Sequence, residues 1–156
     1  MLSINIEIKL QECLRNKCNH YQSDFTLMDI NGIYNTIINE HKKFNLPLST
    51  YLDRLFKQAQ NEHNSLIQRE KILKKITEAV SKNNISDSQF TNIKLLFIVY
   101  LMDYELYDSY KGKFDKEAIY RFVIIEHDWL NKHILYIIST MMIIKDTLSE
   151  VVKCFN

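Results

Sequence analysis

Two glycines and one proline leave this 156-residue chain almost nothing with which to build tight turns. β-Sandwiches and doubly wound α/β folds need turn glycines in quantity, because glycine supplies positive φ at no steric cost, so both classes are excluded. Gly32 and Gly112 also lie too far apart to form a glycine-rich loop that could cradle a phosphate or a dinucleotide. An excess of charge of one sign is missing as well. Lys and Arg number 20 against 19 Asp and Glu, a formal net charge of +1, so no global field draws the chain to nucleic acid or anionic lipid. A DNA-binding domain with its basic excess is therefore not expected.

Cysteine is sparse and unpaired in pattern. Cys13, Cys18 and Cys154 are odd in number and contain no CxxC, which fits reduced thiols in a cytosol-like compartment. The spacing of Cys13 and Cys18 puts the two thiols on different faces of a helix, so they do not form a metal site with His20. HExxH and Glu-x-x-His are both absent, the latter excluding a di-iron carboxylate bundle. No metal and no cofactor is expected. Long apolar runs are lacking too. Leu95–Met102 and Ile134–Ile144, the second interrupted by Ser139 and Thr140, fall short of the roughly 20 residues that span a bilayer. The segment Met1–Glu7 has neither the basic start nor the apolar run of a signal peptide. These features predict a cytoplasmic protein without membrane insertion.

What is present is hydrophobic residue, 46% of the chain, much of it recurring at helical spacing. The expectation is all-α: a single compact domain over residues 1–156, a bundle of five to seven helices. The plentiful Asn, Ile, Lys and Tyr carry the codon bias of an AT-rich genome. A first helix is read over residues 3–18, where Ile6, Leu10, Cys13, Leu14 and Cys18 recur at helical spacing. Leu2, Ile4, Ile6, Ile8 and Leu10 also alternate like a strand, but no other segment offers a strand partner. Thr26-Leu27-Met28-Asp29 has capping-box spacing and Phe25 with Ile30 a hydrophobic staple, opening a second helix that ends near Lys43. Pro47 marks a loop, and Ser49 or Thr50 can cap a third helical stretch running to Asn83-Asn84. Ser65-Leu66-Ile67-Gln68 repeats the capping spacing inside that stretch, leaving one long helix or two in tandem.

Ser86-Asp87-Ser88-Gln89 opens the next helix, over residues 88–110. Its stretch Leu95–Met102 is apolar on every face, which predicts the central, most buried helix. Gly112 is expected as a left-handed C-terminal cap. Asp115, with Phe114 and Ile119 as a staple, starts the last helical region, in which Trp129 is expected to lie in the core. An unbroken helix to Phe155 would be about 60 Å long, so the capping spacing of Thr147-Leu148-Ser149-Glu150 predicts a break near Lys145–Asp146.

Two features could carry function. Asp103, Glu105 and Asp108 fall at the end of the fourth helix, where the macrodipole disfavours anions, and Tyr100, Tyr104, Tyr107 and Tyr110 are interleaved with them. Acid and tyrosine together suit protein recognition, since tyrosine offers contact area plus a polar handle. Tyr100, Asp103, Tyr104, Tyr107 and Asp108 are the binding candidates. The competing reading pairs the acids with basic groups of the same chain, in Arg69–Lys75 and Lys111–Lys113. The leading expectation is a non-enzymatic module that binds another protein: an adaptor, an inhibitor, an immunity protein or a pathogen-encoded regulator. A homodimer exposing a helical face is a further reading.

The alternative is enzymatic. Arg15-Asn16 followed by three residues and His20, and Arg121 followed by five residues and His127, resemble the signature of the HEPN ribonucleases, small all-helical dimers that cleave RNA without metal. The resemblance implies a pair, Arg15 with His20 or Arg121 with His127, in which arginine holds the scissile phosphate. Histidine then exchanges a proton near neutral pH or stabilises the transition-state charge. RNA is expected as a partner only under that alternative.

Overall fold

The computed structural model describes residues 27–155 together with Glu12 and Arg15, which are helical and exposed. Four helices make up the described chain: α1 (Leu27–Phe44), α2 (Leu48–Val80), α3 (Asp87–Asp103) and α4 (Lys116–Phe155). The all-α class holds, and no strand occurs among the described residues. The expected helix over 3–18, the staple of Phe25 with Ile30 and the cap at Thr26 lie outside the described residues.

Among the described residues the helices number four where five to seven were expected for the whole chain; the break left open at Ser65 and the one expected near Lys145–Asp146 are both absent. Ser65 is exposed and sits inside an unbroken α2. A capping serine needs non-helical backbone angles, whereas here Gln, Glu, Arg and Lys, all good helix formers, carry the chain through. Leu66, Leu73, Ile76 and Val80 continue its buried stripe. At the second site Thr147 is fully buried, and its hydroxyl donates back along α4 to the Ile143 carbonyl at 2.8 Å. Its side chain is thus spent on the preceding turn, and the helix runs on through Lys145–Asp146. The start of α2 is also earlier than Ser49, with the Thr50 N–H reaching the Pro47 carbonyl at 3.0 Å.

The described chain divides into two compact units, one containing α1, α2 as far as Asn64 and α4 from Ile134, the other Ser65–His133. α2 and α4 each contribute one stretch to either unit, so neither unit has to accommodate the length of a whole α4. In the first unit Ile37, Leu48, Tyr51, Leu52, Ile143 and Ile144 form the core, joined by partly buried Ile33, Leu55 and Phe56. The loop after α1 is fixed by polar contacts. Asn45 adopts the left-handed region at φ 51, which Asn tolerates better than most residues. The Tyr51 hydroxyl then accepts the Leu46 N–H at 2.6 Å.

In the second unit Ile93, Phe97, Tyr100 and Leu101 of α3 are buried, as are Ile119, Val123 and Leu130 of α4. α3 begins with the expected capping box: Ser86 accepts the Gln89 N–H at 3.2 Å and the Gln89 side chain accepts the Ser86 N–H at 2.9 Å. The helix is not the wholly buried element expected. Leu95, Val99 and Met102 are 56%, 50% and 62% exposed.

α3 also ends at Asp103, seven residues earlier than expected. The Leu106 N–H returns to the Leu101 carbonyl at 2.7 Å and the Glu105 N–H to that of Met102 at 3.2 Å. This is the Schellman pattern, with Glu105 at φ 57 in the place glycine usually takes. Tyr100 and Tyr107 are therefore not carried on one continuous helix, contrary to the expected 88–110 span. Gly112 is not left-handed. It is needed for space, since a Cβ there would lie 2.5 Å from the Tyr110 hydroxyl, which donates to the Lys113 carbonyl at 2.8 Å. The Tyr110 ring packs edge-on against Phe97 and Phe122. Asp115 starts α4 by accepting the Ala118 N–H at 2.8 Å.

Candidate functional site

α3 and its closing turn carry the predicted binding residues, and a buried polar network holds their end in place. Tyr100 is 0% exposed. Its hydroxyl donates to Glu126 Oε2 at 2.5 Å and accepts from Arg69 Nε at 2.8 Å. Arg69 Nη2 reaches the same carboxylate oxygen at 2.6 Å. Three groups from α2, α3 and α4 thus converge around one oxygen. Burial works against the charge on Arg69, but the hydrogen bonds to Glu126 and Tyr100 outweigh it and push the guanidinium pKa up. Burial first, then the hydrogen bond to Glu126, pushes the Tyr100 phenol well above its ordinary range. The tyrosine therefore stays protonated and acts as a donor.

Aromatic rings close the guanidinium off. Its carbon lies 4.6 Å from the Tyr104 ring centroid and 4.8 Å from that of Trp129, close enough for cation–π attraction. Trp129 is half-exposed rather than core, because one of its faces covers Arg69 and its ring stacks on His133 with 4.9 Å between centroids. Sequence reasoning missed this network. A signal for it existed: Glu126 falls on the stripe Ile119, Val123, Leu130, and Arg69 on the stripe Leu66, Leu73, Ile76, so each is a charge on an apolar face.

The predicted surface is consequently split. Tyr100 faces the core and anchors the helix, so it is corrected from contact residue to support. Tyr104 is half-buried against Arg69. Asp103, Tyr107 and Asp108 are exposed, and Glu105, absent from the predicted set, joins them. Met102, Glu105, Tyr107 and Asp108 line a surface depression. The basic groups proposed to neutralise these acids do not do so. Arg69 is committed to Glu126, and among the described residues no ion pair within 4.0 Å involves Asp103, Glu105 or Asp108.

His20 lies outside the described residues, so the pair with Arg15 does too. Arg121 is exposed and faces Glu117 one turn away at 3.9 Å. His127 Nε2 lies 3.0 Å from Thr77 Oγ1, whose own hydrogen goes to the Leu73 carbonyl at 2.8 Å, so the histidine must donate. Their six-residue separation places the two side chains about 120° apart around α4, and the structure gives them no shared partner. Among the described residues no three His, Cys, Asp or Glu side chains gather as a metal site would require. No helix among them is long and apolar enough to cross a membrane.

Comparison with known proteins adds a relative. The chain is 89% identical over 153 residues to uncharacterized protein R790 of Acanthamoeba polyphaga mimivirus, covering 98% of this chain and 99% of that protein. It belongs to the same family. No protein-family model matches the chain, and no solved structure matches it.

Proposed function

We propose that this member of the family represented in the mimivirus is a non-enzymatic helical module that binds another protein through the end of α3 and the turn that follows. The observation carrying this reading is that Asp103, Glu105 and Asp108 stand exposed without an ion pair among the described residues. Anions at a helix C-terminus oppose the macrodipole and cost stability. A cost without intramolecular return is expected where a surface serves a partner. Tyr107, 47% exposed beside them, supplies the aromatic contact common at interface hot spots. The Arg69–Tyr100–Glu126 network holds this end of α3 in place, which lowers the ordering cost of binding.

The test is a quantitative pull-down from cells of the natural host with wild type and Asp103→Lys/Asp108→Lys. A specific partner lost from the variant, at unchanged far-ultraviolet circular dichroism, is the expected result. A partner retained at the same yield removes this surface from the interaction.

A further inference from the structure

The exposed side of α3 extends the acidic turn into a longer surface. Leu95, Val99 and Met102 follow one another at steps of four and three residues, so they form one stripe on the solvent side of the helix. A 4-3 stripe is the pattern by which one helix packs along another. Ser88, Thr91 and Asn92 give the stripe a neutral, polar beginning, whereas Asp103, Glu105 and Asp108 give it an acidic end. Met102 belongs to both parts, lying on the stripe and lining the depression with Glu105, Tyr107 and Asp108. The negative end of the α3 dipole adds to the acidic field at the same place.

We infer that the stripe Leu95–Val99–Met102 and the acidic turn together receive a cationic amphipathic helix, one that lays aliphatic side chains on α3 and brings Lys or Arg to its C-terminal end. This rests on the proposed binding function and names the partner's chemistry. Charge selects this occupant over a second copy of the chain. A parallel pairing of two copies would oppose the acids to each other, and an antiparallel one would set them against the opposite end of α3, where Asp87 adds another acid and Ser88–Asn92 carries no cation. The three apolar residues are also far short of the roughly 800 Å² per partner that a stable interface buries. The long-range attraction of the acids is therefore needed to raise the association rate and fix the direction of the incoming helix.

Two synthetic 18-residue helical peptides test this, one with leucine at 4-3 spacing on a lysine background, the other with glutamate replacing every lysine. Binding to the full chain is measured by titration calorimetry and located by methyl NMR. The lysine peptide should bind at least tenfold more tightly than the glutamate peptide and shift Leu95, Val99 and Met102. Asp103→Lys/Asp108→Lys should remove that preference, and Met102→Ser should weaken the lysine peptide alone, with amide spectra confirming that both variants fold. Equal affinity for the two peptides, or shifts at other methyls, would overturn the inference. So would shifts at these methyls that depend on protein concentration without peptide, which would mark a second copy. Loss of the charge preference would leave partner capture through Asp103 and Asp108 standing, so failure here is distinguishable from failure of the binding function itself.

Discussion

Arg69 and Glu126, 57 residues apart in sequence, meet at 2.6 Å with only 13% and 9% of their side-chain surface exposed. Pairing allows both charges to be buried, and it places a heavy penalty on removing either one. Glu126→Ala leaves a cation among Tyr100, Tyr104 and Trp129 without its anion and should cost about 3 kcal/mol. Arg69→Met/Glu126→Leu, which removes both charges at similar volume, should recover most of that loss. Urea unfolding of both variants against wild type checks this; a loss below about 1 kcal/mol for Glu126→Ala is what a solvent-screened pair would show.

The same network predicts alkaline sensitivity. Burial and the bond to Glu126 raise the Tyr100 pKa above its ordinary 10.0, and burial also raises those of Tyr104 and Tyr110. The folded chain therefore holds these protons more tightly than the unfolded chain. Their stabilising contribution is complete below about pH 10 and drains away as pH rises toward the folded-state values. The urea midpoint should be level up to about pH 9 and fall above about pH 10, with a shallower fall in Tyr100→Phe. An equally steep fall in that variant would place the sensitivity elsewhere.

Ser65 and Ser86 occur in the same capping-box spelling and should respond differently to alanine. Ser86 caps α3, so Ser86→Ala should lose about 1 kcal/mol. Ser65 lies inside α2, so Ser65→Ala should be neutral or gain a few tenths of a kcal/mol from alanine's helix propensity. Thermal unfolding separates these cases, and a comparable loss at Ser65 would indicate that α2 is broken there.

Glu105 closes α3 in a left-handed conformation at φ 57. Glycine adopts that conformation without the Cβ penalty of about 1–2 kcal/mol, at the expense of greater freedom in the unfolded chain. Glu105→Gly should therefore stabilise the fold by about 0.5–1 kcal/mol while weakening attraction to a basic partner. Glu105→Val should destabilise it. A Glu105→Gly variant less stable than wild type in urea would contradict the geometry of this turn.

The all-α class could be read in the sequence because it depends on local signals: the scarcity of glycine and proline, the Ser86 capping box, the Asp115 cap and the turn at Asn83-Asn84, where Asn84 is left-handed at φ 58. Helix number was harder, because a capping spacing is spelled the same at a helix end and within a helix. Thr147 shows the difference, which lies in whether its hydroxyl turns back to Ile143. The burial of α3 is hard to read from sequence for a related reason. A segment apolar on every face looks fully buried, yet Leu95, Val99 and Met102 face solvent because the core takes only the Ile93–Phe97–Tyr100–Leu101 side. Of the candidate site, the acids were legible as violations of the dipole rule and Tyr107 as an aromatic interleaved with them. The Arg69–Glu126 pair was legible only as two charges on apolar stripes, and their meeting depends on tertiary packing that no local pattern contains.

Site-specific photo-crosslinking tests the binding surface most directly, with a benzophenone amino acid at Tyr107 and, as control, at exposed Lys74 on α2. One discrete heterologous adduct is expected from position 107 in host cells, absent from position 74 and lost in the Asp103→Lys/Asp108→Lys background. No adduct at 107, the same adduct from both positions, or an adduct unchanged by charge reversal would contradict it.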